Sequence, residues 1–117
     1  MSNLSDLKPR FLWENFSKIC SIPDPSKHEA KILAYLLDWA KQKNITVKQD
    51  ETGNLIFSKP ATKGMENRKG VILQGHIDMV PQKNSDKVHD FTKDPIETVI
   101  GNDGWVRANG TTLGADN

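Results

Sequence analysis

Apolar residues recur along this chain first at a helical spacing and then at an alternating one. Between Leu4 and Ile22, Leu12, Phe16 and Ile19 fall on one stripe, joined by Trp13 and Cys20. Ser5 suits the start of that helix, and Pro9 is tolerated only near it. The prolines of Ser21-Ile-Pro-Asp-Pro-Ser26 stop it, because neither can continue a helical ladder. A second helix is predicted from Ser26, which forms a capping box with Glu29. Ile32, Leu33, Leu36, Leu37 and Ala40 supply its buried face. Lys41 and Lys43 suit the negative end of its dipole, and Asn44 suits its stop. His28 lies in the first turn, exposed.

The period then shortens to two. Ile45 and Val47 alternate with Thr46 and Lys48, and Leu55-Ile56-Phe57 returns beyond the turn Glu51-Thr52-Gly53. Gly53 stands where that turn requires a positive φ. Pro60 to Lys69 is a polar, solvated loop. Val71–Gln74 is an apolar run of the kind expected of a buried central strand. Pro81 to Asp94 shows no period. Ile96–Ile100 and Trp105–Ala108 flank Gly101-Asn102-Asp103-Gly104, a strong hairpin signal that puts Trp105 in a structural role. Two helices, a hairpin, a strand and a hairpin layer most simply as an α/β fold, a mixed sheet flanked by helices.

Composition narrows the partners. The 117 residues carry 16 Lys+Arg and 15 Asp+Glu, a formal net charge of +1. That balance argues against nucleic acid or an anionic membrane as the partner. No apolar run reaches the roughly 20 residues of a membrane span. Cys20, the single cysteine, reads as a small apolar residue on the first helix. With the polar opening MSNLSDLKPR, it favours the reducing cytoplasm.

The chemistry gathers after Leu73. His76 and Asp78 are two residues apart, so in extended chain they share one face, with Ile77 on the other. A metal-binding histidine needs an oxygen to hold its second nitrogen, and Asp78 is placed to supply it. The pair alone more often describes a surface histidine near a solvated aspartate. Asp116 follows Gly114 and Ala115, whose small size permits close approach to a site. Alone it also reads as a turn residue. His89-Asp90 imitates the first motif without an apolar strand before it and reads as surface.

Taken together, SIPDPSKHE, DETGNLI, LQGHIDMVPQKN and WVRANGTTLGADN resemble the di-zinc exopeptidases of the aminoacylase and carboxypeptidase G type. The likeness is closest to their aminoacyl-histidine (Xaa-His) dipeptidase branch and runs over the whole chain. The resemblance implies that His76 and Asp116 are metal ligands, with Asp116 bridging two zinc ions. It implies that Asp78 is the active-site carboxylate that orients His76. The Asp116–Asn117 bond is then expected to be cis. Zinc is the implied cofactor, two ions in the full-length enzyme, with cobalt or manganese as substitutes. The implied substrate is a dipeptide of the Xaa-His type, such as beta-alanyl-histidine, and the implied parent is a homodimer.

The resemblance also marks what is missing. The catalytic glutamate, its neighbouring glutamate ligand, a further acidic ligand and a late histidine all follow the Asp-Asn pair in that family. Glu97 lies upstream of it and does not fill the role. Residues 1–117 are therefore expected to be the amino-terminal part of a catalytic domain, without the dimerisation domain, and to be inactive alone. The alternatives are a related zinc amidohydrolase (an aminoacylase, tripeptidase or desuccinylase) and a non-catalytic protein-binding α+β module.

Overall fold

The computed structural model describes residues 4–116. They fall into two compact units, one formed by residues 4–32 with 76–116 and the other by residues 33–75.

The first unit opens on a short 3-10 turn at Leu4–Asp6, followed by helix α1, Arg10–Cys20. The expected single helix is thus broken at Pro9, which occupies the N-cap position with extended backbone. An interior proline donates no N–H and clashes with the preceding turn, so the helix can only begin after it. Trp13 and Phe16, one turn apart on the apolar stripe, meet edge to face at 5.9 Å. Cys20 is buried. Burial first, and the charge of Asp24 second, push its thiol up to about 11, so it behaves as the small apolar residue the stripe implied.

Helix α2 runs Ala30–Gln42 and starts three residues later than the capping-box pattern implied. Ser26 is not its cap. Glu29 instead accepts a bond from the Lys27 amide at 2.7 Å, and the Ser26 hydroxyl is engaged elsewhere. The stop at Asn44 is met. Asn44 takes a φ of 54°, its amide donates to the Lys41 carbonyl at 3.1 Å, and the Ile45 amide donates to the Ala40 carbonyl at 2.9 Å. Those two bonds satisfy carbonyls that a helix end leaves open.

The second unit continues into strands β1, Thr46–Gln49, and β2, Leu55–Ser58, the expected hairpin, antiparallel with Val47 opposite Phe57. Its turn is held by Asp50. One carboxylate oxygen accepts from the Thr52 and Asn54 amides at 3.0 and 2.8 Å, and side-chain bonds from Asn54 and Thr52, ahead of these, hold the carboxyl down at about 2. Gly53 takes a φ of +97°, as the turn required.

Val71–Gln74 does not form the expected strand. Val71, Ile72 and Leu73 are 82–92% exposed, and among the described residues no backbone hydrogen bond ties 71–74 to a neighbour. A strand needs a bonded partner, and among the described residues the sheet of β1 and β2 stops at β2 without taking up 71–74. Strands β3, Thr98–Ile100, and β4, Val106–Ala108, form the second antiparallel pair, in the first unit. The α/β class stands, but among the described residues the sheet is two separate hairpins. The parallel element is one isolated bridge, Pro25 to Met79.

Candidate metal centre

Three threads of the first unit meet around His76. Residues 24–26 run beside Met79: the Met79 amide donates to the Asp24 carbonyl at 3.0 Å, and the Ser26 amide donates to the Met79 carbonyl at 3.1 Å. Beyond Met79 the chain lies against residues 110–112. The Thr112 hydroxyl donates to the Val80 carbonyl at 2.6 Å, the Thr112 amide to the Gln82 carbonyl at 2.9 Å, and the Asn84 amide to the Gly110 carbonyl at 2.8 Å. This short ladder, with the Lys83–Thr111 bridge, carries the chain end back to the histidine. Gly114, at a φ of +70°, makes the last bend, a conformation costly for any residue with a Cβ.

His76 Nδ1 lies 2.8 Å from the backbone oxygen of Asp78 and 3.1 Å from its Oδ1. Two oxygens facing Nδ1 favour a proton there, so Nε2 is the nitrogen that would bind a metal. His76 Nε2 faces Asp116 Oδ2 at 3.3 Å. The other oxygen of Asp78, Oδ2, accepts the Ser26 hydroxyl at 2.5 Å. Ser26, Asp78, His76 and Asp116 therefore stand in one row, although 90 positions separate its ends.

The charges follow the row. Bonds to Asp116 first and Asp78 second raise the affinity of His76 for a proton. The Ser26 hydroxyl, ahead of His76, holds Asp78 below the usual carboxylate range, and His76 does the same for Asp116. Next to the row, Asp24 is 4% exposed and its Oδ2 has no hydrogen-bond partner. Burial pushes its carboxyl up to about 6, with the charges of Asp78 and Glu29 adding to the effect.

The donors fit a zinc ion. Zinc sits about 2.0–2.2 Å from imidazole nitrogen and carboxylate oxygen, and a tetrahedral angle then sets two donors about 3.3–3.5 Å apart. The observed 3.3 Å is compatible with that spacing, and without an ion it is a hydrogen-bonded ion pair. The set is partial, since among the described residues no group of three or more His, Cys, Asp or Glu side chains is arranged to hold a metal.

The remaining candidates lie elsewhere. Glu97 pairs with Lys87 at 3.1 Å. His28 is exposed, as expected. His89 is not the free surface residue expected: it is half-buried, lies against Phe91 at 4.5 Å, and keeps a buried Nε2 without a partner. The Asp116–Asn117 bond ends outside the described residues. Sequence reasoning missed Ser26, whose capping-box spacing hid its role, and Asp24, which reads only as a residue between two prolines.

Over its full length the chain is 61% identical to the cytosol non-specific dipeptidase of Escherichia coli strain K12, of which it covers 24%. Its structure matches the crystal structure of aminoacylhistidine dipeptidase from Vibrio alginolyticus with a TM-score of 0.92 and 58% identity, over 98% of this chain and 23% of the other. No family model matches it. The chain thus spans about a quarter of the length of each relative, and both relatives are dipeptidases, as the resemblance implied.

Proposed function

We propose that this chain is the part of a metal-dependent dipeptidase that contributes the first histidine and the bridging aspartate of its metal centre. The parent activity is hydrolysis of dipeptides of the Xaa-His type in the cytoplasm, by a homodimer. The observation that carries the reading is the approach of His76 Nε2 to Asp116 Oδ2 at 3.3 Å with Nδ1 clamped by Asp78. Identity to two dipeptidases over the same residues supports it.

In this reading His76 and Asp116 hold zinc, and Asp78 keeps the imidazole in the tautomer that presents Nε2. When bound, the ion supplies Lewis acidity toward the scissile carbonyl and acidifies a nucleophilic water. Asp78 stays ionised, because its bonds to Ser26 and His76 favour the charged form. Neither Asp78 nor Asp116 is placed as a proton shuttle here. In this reading that role falls to a glutamate that the resemblance places outside the quarter of the relatives' length this chain matches.

Zinc titration of the chain tests this. The wild type should bind zinc weakly, with fewer than the three protein ligands usual at a catalytic site. His76→Ala and Asp116→Ala should each abolish the binding. Unchanged affinity in His76→Ala would refute the assignment.

A further inference from the structure

We propose that Ser26 is a positioning residue for this centre: its hydroxyl fixes the plane of the Asp78 carboxylate that in turn fixes the ring of His76. The inference rests on the metal-centre reading above for its purpose, but its geometry stands apart from any metal.

A serine hydroxyl donates one proton. Two acceptors lie near Ser26 Oγ, Asp78 Oδ2 at 2.5 Å and the Met79 carbonyl at 3.4 Å, so the proton goes to the carboxylate. The opposite oxygen, Oδ1, is the one that meets His76 Nδ1. A carboxylate gripped at one oxygen only can turn about its terminal bond, which is a soft torsion. Gripped at both, it holds one plane and presents Oδ1 to the imidazole.

Ser26 is itself anchored. Its amide donates to Met79, Pro25 forms the isolated bridge to Met79, and the next residue, Lys27, takes a φ of 73°. The turn therefore aims the hydroxyl at a residue 52 positions away and leaves nothing for the helix that follows. This accounts for the late start of α2. A hydroxyl spent on a local cap could not also reach Asp78.

The test reads the His76 ring directly by nitrogen NMR in the full chain without metal, above the imidazole titration range. The wild type should show the Nδ1-protonated tautomer. Ser26→Ala should raise the Nε2-protonated share at least twofold, and Ser26→Thr, which keeps the hydroxyl, should restore the wild-type ratio. An unchanged ratio in Ser26→Ala would overturn the proposal. So would a Thr variant as altered as the Ala one, since the loop rather than the hydroxyl would then matter. If Ser26→Ala fails to fold, the Thr variant and an Asp78→Asn background decide. In that background Ser26→Thr should leave the ratio unmoved, and a further shift there would overturn the proposal. A zinc titration of the same variants should show Ser26→Ala weakened about threefold to tenfold, less than the loss typical of a direct ligand partner. Failure of the wild type to bind zinc would sink the metal-centre reading while leaving the tautomer result to decide the role of Ser26.

Discussion

Asp24 shows how one buried carboxyl can set a pH dependence for the whole chain. Its folded-state value is about 6 against an ordinary 3.8, because burial disfavours the charge. A raised folded value means that the folded form holds the proton more tightly. The contribution to stability is therefore complete below about pH 3.8, declines as the pH rises, and is gone above about 6. The shift of about two units at about 1.4 kcal/mol each amounts to about 3 kcal/mol. Urea midpoints from pH 3.5 to 7.5 should fall for the wild type relative to Asp24→Asn across that window. Parallel profiles would show that Asp24 is solvated. The partners of Asp24 could not be read from sequence, because they come from the fold: Met79, on its backbone, follows 55 positions later.

At the scale of elements, local chemistry was legible and distant pairing was not. The Glu51–Gly53 turn and the Asn44 stop are set by residues within a few positions of each other, and both formed as the pattern implied, with Asp50 adding bonds the pattern did not show. Gly53→Ala should cost about 1 kcal/mol through the positive φ alone. The added methyl would meet Leu33 only at an ordinary 3.5 Å, so a much larger loss in a thermal melt would point to a clash instead. Val71–Leu73 has the composition of a central strand, yet composition cannot supply the edges on which a central strand depends. In this chain Ile72→Asp should change stability by less than about 0.5 kcal/mol, because the side chain is 92% exposed. A loss of several kcal/mol in the same melt would place Ile72 in a core. Ser26 failed in the opposite way. Its local pattern was a sound capping box, and a contact 52 residues distant took the hydroxyl first.

At the scale of the molecule, the chain matches about a quarter of the length of two dipeptidases. In the second unit Ile56, Val71, Ile72 and Leu73 are each more than 60% exposed and line one shared apolar surface, more than scattered single residues explain. Sedimentation should therefore show self-association that rises with concentration, and a single ideal monomer at high concentration would contradict this. Purified alone, the chain should hydrolyse no Xaa-His dipeptide above background, because two ligands and an orienting carboxylate leave the proton-transfer step without a base. Turnover by the chain, abolished in His76→Ala, would show that its own residues suffice. The α/β class, the two hairpins and the His76, Asp78 and Asp116 motifs were all visible in sequence. The ladder of residues 80–84 against 110–112 was not, since no period marks Pro81 to Asp94.

The account depends on an imidazole and a carboxylate 40 positions apart sharing one ion. X-ray absorption at the zinc edge of the metal-loaded chain tests that directly. One imidazole nitrogen and carboxylate oxygen at about 2.0–2.2 Å should be seen, with the imidazole signal gone in His76→Ala. Zinc still bound through an imidazole in that variant would mean that another histidine holds it, and the account would fail.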